Sequence, residues 1–265
     1  MKKQMFPLIS SFYLCFCAVT LALACQAQEN PKFEKHFANT KGCFLLYDLT
    51  QGKYTVRYNE EQCKKPLSPM STFKVPNAII GLELGILQDE NTTYKWDGSK
   101  YPIKEWEQDQ TLATAMRYSA IWYFQKVASQ VGENAYKQYL NKFNYGNQDI
   151  SDGITTFWLS SSLKITAEEQ IDFLNRMYRN QLPVSPKSLE IVKKIIVQEK
   201  SNGTVFSGKT GTARKETLGW FVGHLSSQGK EYTFATNIEA ESGATGRRAK
   251  AITKELLKEI RLMKN

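Results

Sequence analysis

The hydrophobic residues of this chain change their period twice, and that switch restricts the folds open to it. Gly42-Cys43-Phe44-Leu45-Leu46-Tyr47-Asp48 is a short, nearly continuous apolar run, as in a buried strand. After a turn at residues 50–53, Tyr54, Val56 and Tyr58 alternate with Thr55 and Arg57, so this end predicts a β-hairpin. Past Pro69 the spacing becomes helical. Residues 71–85 predict a helix with Pro76 in its first turns, where a missing amide is tolerated. Further helices are expected over 112–131, 133–143, 167–180 and 186–196, with a loop at Tyr145-Gly146-Asn147 and a strandless run over 152–162. The strand period then returns. One strand is expected over 204–207 and 209–213, others over 218–225 and 231–238, the latter two joined by a turn at 226–229. A helix over 247–263 closes the chain, with Ile252, Leu256 and Ile260 on one stripe.

Strands at both ends with helices between them imply an α+β fold: an antiparallel sheet formed by both chain ends, flanked by helices, with an inserted all-helical domain. The expected boundaries are 28–70 and 199–265 for the sheet domain and 71–198 for the helical domain, with a cleft where they meet. At 265 residues, 42% hydrophobic and 23% charged, the chain can bury such a core and shows no sign of disorder.

Residues 1–24 have the layout of a signal peptide: Lys2 and Lys3, an apolar run over 8–24, then the small residues Ala22, Ala24 and Ala27. The run is short for a spanning helix, so secretion to the periplasm is expected, leaving residues 25–265 without a transmembrane domain. Lipid attachment at Cys25 is a second reading, although Ala22 stands where a lipobox usually has Leu. The net charge of +9 falls to +7 once Lys2 and Lys3 are removed. Its lysines are scattered, as at Lys193, Lys194, Lys200, Lys250, Lys254 and Lys258, which implies a solvated surface and no nucleic-acid partner. With no CxxC and only His36 and His224, no metal is expected. Whether Cys43 and Cys63 pair stays open.

The chemistry begins at Ser71-Thr72-Phe73-Lys74. A serine at a helix start has an unpaired amide at the positive end of the dipole, and a lysine three residues on returns to the same face. With so few histidines, a Ser-Lys pair is a more economical nucleophile and base than a Ser-His-Asp triad. Lys209-Thr210-Gly211 sits on an expected strand and suits an anionic substrate: a cation, a hydroxyl, and a glycine that admits close approach. Ser119, in Tyr118-Ser119-Ala120-Ile121, can relay a proton. Each motif alone is weak; their order and placement are not.

Together they resemble the penicillin-recognising serine enzymes. Pro69 to Lys74, Tyr145-Gly146-Asn147, Phe157-Trp158-Leu159, Lys209-Thr210-Gly211-Thr212, Gly219-Trp220-Phe221-Val222-Gly223 and the Arg248 helix are similar to the signature set of the class D, oxacillinase-type serine β-lactamases, over residues 40–262. The resemblance implies a serine β-lactamase fold and hydrolysis of β-lactam antibiotics by a monomer or homodimer. It implies no cofactor beyond carbon dioxide, which would convert Lys74 to N6-carboxylysine, the general base. Phe73, Ile121 and Leu159 would wall that pocket and Trp158 would hold the carbamate oxygen. The backbone amides of Ser71 and Thr212 would form the oxyanion hole, and Lys209, Thr210, Gly211 and Arg248 would bind the substrate carboxylate. The chain departs from the family at Ile121, where Val is usual; the extra methylene is expected to alter water access to the base.

Overall fold

The computed structural model describes Met1, residues 31–159 and residues 162–264. The rest of the expected signal segment, with Cys25, lies outside the described residues. Helix α1 (Pro31–Glu34) and a 3-10 turn (Lys35–Phe37) lead into the hairpin β1 (Lys41–Asp48) and β2 (Lys53–Tyr58). Next come α2 (Glu60–Lys64), a 3-10 turn at Met70–Phe73 and α3 (Lys74–Glu83). The short strands β3 (Thr93–Tyr94) and β4 (Gln110–Thr111) pair with each other. Helices α4 (Leu112–Tyr118), α5 (Ile121–Val131), α6 (Glu133–Phe143), α7 (Ala167–Tyr178) and α8 (Pro186–Ile195) follow. The chain closes with β5 (Val197–Ser201), β6 (Thr204–Thr212), β7 (Leu218–Ser227), β8 (Lys230–Glu239) and α9 (Gly246–Glu259).

The main sheet runs β2-β1-β8-β7-β6-β5, antiparallel at every pairing. Because β1 pairs with β8, both chain ends build one sheet, as expected for the α+β reading. Side chains alternate across it. Cys43, Leu45, Trp220, Val222 and Ala235 join the core under the central helices, whereas Phe44, Leu46, Phe221, Phe234 and Ile238 pack beneath α9. On that second side Thr236 and Thr253 share a buried hydroxyl hydrogen bond at 2.6 Å.

Four expectations need correction. The 112–131 segment is two helices, broken at Ser119-Ala120, where Ser119 takes φ 59°. Strand β5 begins at Val197, ahead of the expected boundary; it is an edge strand with mostly exposed residues, so its sequence carries no apolar alternation. The last helix spans Gly246–Glu259 rather than 247–263. Helix α7, assigned to the inserted domain, lies on the sheet: Thr233 Oγ1 of β8 donates to its Asn175 at 2.5 Å, and its Tyr178 stacks on His224 of β7 at 3.8 Å. Sheet and helices therefore share one core. Cys43 of β1 and Cys63 of α2 are disulfide-bonded across 20 residues, a loop whose closure contributes roughly 3 kcal/mol through the unfolded state.

Candidate active site

The segment from Pro69 to Lys74 crosses from extended chain into α3. Met70 sits at φ 53°, uncommon for a side chain of that size. The turn is held by Thr72, whose amide and hydroxyl both donate to the Pro69 carbonyl, at 3.1 and 2.6 Å, while Gln170 donates to the Thr72 hydroxyl at 3.0 Å. Ser71 stays half-buried ahead of the first bond of the turn, with its amide at the helical end. Lys74 opens α3, wholly buried, and its Nζ lies 2.9 Å from Ser71 Oγ. Burial first, and the nearby Lys209 charge second, hold the Lys74 amine well below its ordinary pKa. An uncharged amine beside a hydroxyl can take its proton.

Ser119, half-buried, caps α4 in the left-handed conformation, and two tryptophans bond the backbone beside it. Trp106 Nε1 donates to the Tyr118 carbonyl at 2.8 Å, and Trp122 Nε1 donates to the Trp106 carbonyl at 2.9 Å. So fixed, Ser119 Oγ accepts from Lys209 Nζ at 3.0 Å, and that ammonium also donates to the Thr210 carbonyl at 3.1 Å. Burial lowers the Lys209 pKa to about 7. Two amines thus share one dry pocket, where a carboxylate-like group on Lys74 would restore the charge of Lys209.

Residues 209–212 of β6 run beyond the last β5 pair, at Ser207. The Ala213 amide donates to Leu218 of β7, so the alternating ladder turns the Thr210 and Thr212 backbone away from β7, along this open edge. The Thr212 amide therefore faces the open edge of β6. A Cβ at Gly211 would meet the Pro69 carbonyl at 3.0 Å and Met70 Cβ at 3.1 Å, so the glycine also admits the Pro69–Met70 turn. The Arg248 guanidinium donates to the Ala38 carbonyl at 2.7 Å.

Trp158 is fully buried and stacks on Phe73 at 5.4 Å, yet its Nε1 has no hydrogen-bond partner among the described residues. An orphaned indole N–H costs about 1–3 kcal/mol unless an acceptor arrives. The carbamate oxygens expected on Lys74 are such an acceptor, so the residues present fit the modification. Ile121 and Leu159 are half-buried against the same core. The Tyr145-Gly146-Asn147 motif closes the Trp158 loop: Asn147 Nδ2 donates to Ser162 at 2.9 Å, and its Oδ1 accepts the Lys164 amide at 2.9 Å.

A family profile described as the penicillin binding protein transpeptidase domain matches residues 21–258. The probable β-lactamase YbxI of Bacillus subtilis (strain 168) is 41% identical over 231 residues, 87% of this chain and 85% of its own. The solved structure of class D β-lactamase BAT-2 superposes with a TM-score of 0.84 at 40% identity, covering 88% of this chain and 97% of that one. The chain belongs to the class D serine β-lactamases. A receptor module shares the fold: the C-terminal domain of the Bacillus licheniformis BlaR penicillin-receptor aligns at 36% identity and TM-score 0.83, over 87% of this chain and 95% of that one.

In this class D enzyme, sequence reasoning missed Phe124, whose ring centroid lies 5.5 Å from Lys74 Nζ. It stands three residues after Ile121 on the same face of α5, and that spacing was the signal available. The Trp106 and Trp122 supports carry no signal at all, because they act through backbone carbonyls far apart in sequence.

Proposed function

We propose that this class D β-lactamase hydrolyses the β-lactam amide of penicillins and related antibiotics through an ester on Ser71, with carboxylated Lys74 as base, and so confers resistance. One observation carries the reading: Lys74 Nζ is buried 2.9 Å from Ser71 Oγ, and that burial holds its pKa well below the ordinary value. Carbon dioxide, once added to that amine, supplies a carboxylate-like base. Lys74 takes the hydroxyl proton as Ser71 Oγ bonds to the β-lactam carbonyl carbon. The Ser71 and Thr212 amides stabilise the oxyanion. As the carbon–nitrogen bond breaks, the proton held on Lys74 passes through the Ser119 hydroxyl to the ring nitrogen, which frees Lys74 as a base again, and Lys209 steadies Ser119 and the substrate carboxylate with Thr210. Arg248 joins them by leaving the Ala38 carbonyl. Lys74 then activates water, the ester opens, and Ser71 recovers its proton. The reading places the enzyme in the periplasm after signal removal, as a monomer or homodimer.

A second reading is a β-lactam sensor, favoured by the receptor likeness and by 39% identity to the regulatory protein BlaR1 of Bacillus licheniformis, of which the match covers 37%. Sensors keep the ester; an enzyme releases it. Incubation with a chromogenic cephalosporin decides between them. Many turnovers per Ser71, raised by bicarbonate and lost on Lys74→Ala, are expected. Stoichiometric colour without turnover would overturn the enzyme reading.

A further inference from the structure

A cavity of about 750 Å³ has in its lining neither Ser71, Lys74 nor Lys209, yet two of its walls continue directly into the catalytic segments. One wall is Leu67-Ser68, three residues short of Ser71. There the Ser68 carbonyl accepts from Trp220 Nε1 at 3.0 Å and its hydroxyl accepts from Lys164 Nζ at 2.9 Å. The other wall is Ala213 and Leu218, whose 2.9 Å backbone bond closes the β6–β7 turn just past Thr212. The volume suits a drug-sized molecule.

Its charges select the sign of an occupant. Lys41, Lys65 and Lys164 line it against Glu239 and Glu241. Glu239 is already taken by Lys65 at 2.6 Å and Gln62 at 2.8 Å. Lys41 and Lys164 have no carboxylate within 4.0 Å among the described residues, and Lys164 has only a hydroxyl. With Lys65 matched by Glu239 and one further lysine charge offset by Glu241, the lining is left with a net charge of one positive beside apolar Leu67 and Leu218, which suits a flat apolar body carrying one negative charge.

We propose that this cavity binds an amphipathic monoanion, an aromatic sulfonate or carboxylate, and that occupation tunes acylation of Ser71. The ligand anion draws Lys164 off Ser68, loosening the support of the nucleophile turn, while its ring rests against the turn that aims the Thr212 amide. Binding stands on the cavity alone; the coupling rests on the reading of Ser71 and Thr212 given above.

Naphthalene-1-sulfonate, titrated calorimetrically, tests both. We expect it to bind the enzyme and its Ser71→Ala variant alike, in the presence of saturating penicillin. Neutral naphthalene-1-methanol and the Lys41→Gln/Lys164→Gln enzyme are expected to show about tenfold weaker binding, one charge-assisted contact's worth. Ala240→Trp, which fills the cavity from its lining, removes binding while thermal melting confirms a folded chain. The acylation rate in stopped flow shifts at least about twofold at saturation in the native enzyme, and not in Ala240→Trp. Displacement of the sulfonate by penicillin on Ser71→Ala, or undiminished affinity in Ala240→Trp, overturns the site. Binding without any shift in acylation overturns the coupling. Turnover retained by Ser71→Ala would instead sink the nucleophile assignment, a result distinct from either.

Discussion

Lys74 and Lys209 are two amines buried in one pocket, and their coupled charge governs what the site can do. Burial lowers the Lys209 pKa from its ordinary 10.5 to about 7. Between those values the unfolded chain binds the proton that the folded chain has lost. With Lys74 uncarboxylated, as in buffer freed of carbon dioxide, stability therefore rises with pH across that window, and the penalty is fully present below about pH 7. Lys74 acts in the same direction. In Lys209→Met the gain in melting temperature between pH 7 and 10 is expected to shrink relative to the native enzyme, as differential scanning calorimetry would read; an unchanged slope would contradict the burial of this amine. Trp158 supplies the neighbouring test. If its orphaned Nε1 waits for a carbamate oxygen, Trp158→Phe keeps the stacking on Phe73 at 5.4 Å but removes the donor. We expect turnover to need at least about tenfold more bicarbonate, read from initial rates, with acylation showing the same dependence. The Ser71 and Lys74 pair was legible in the sequence because its spacing is local. The bond from Arg248 to the Ala38 carbonyl was not, since it joins residues far apart in sequence.

At the scale of elements, the break between α4 and α5 decides the placement of Ser119. Its left-handed φ of 59° suits glycine and strains alanine. Ser119→Gly and Ser119→Ala both lose the hydroxyl that accepts from Lys209, so both are expected to lose turnover by roughly 10²–10³. Their stabilities should part, with the glycine variant about 1 kcal/mol the more stable by urea unfolding. Equal stabilities would show that the turn is not held in this conformation. The hydrophobic period from Leu112 to Val131 runs through this break unaltered, which is why one long helix was expected. What ends α4 is the left-handed Ser119 cap, closed by the Ala120 amide donating to the Ala115 carbonyl at 2.9 Å and joined by Trp106 Nε1 at the Tyr118 carbonyl, contacts invisible to periodicity. Strand β5 escaped for the opposite reason: four of its five residues are exposed, so nothing in its sequence marks a strand until β6 pairs with it.

For the molecule as a whole, the sheet and its two coverings were readable because each end of the chain changes period abruptly. The pairing of β1 with β8 was implied by strands at both termini; the packing of α7 onto the sheet was not. That packing matters to the chemistry. Gln170 of α7 steadies Thr72 beneath the nucleophile, Gly211 of β6 admits the same turn, and Phe124 of α5 covers Lys74 from the helical side. The dry environment of Lys74 is thus assembled from every layer, and in the function proposed above it leaves an amine free to capture carbon dioxide. The most direct test is carbon-13 NMR of the enzyme in labelled bicarbonate, followed against turnover as the pH is lowered. A carbamate resonance that is absent from Lys74→Ala and fades in step with activity is the expected result. Undiminished hydrolysis with no carbamate signal, and Lys74 protonated, would contradict it.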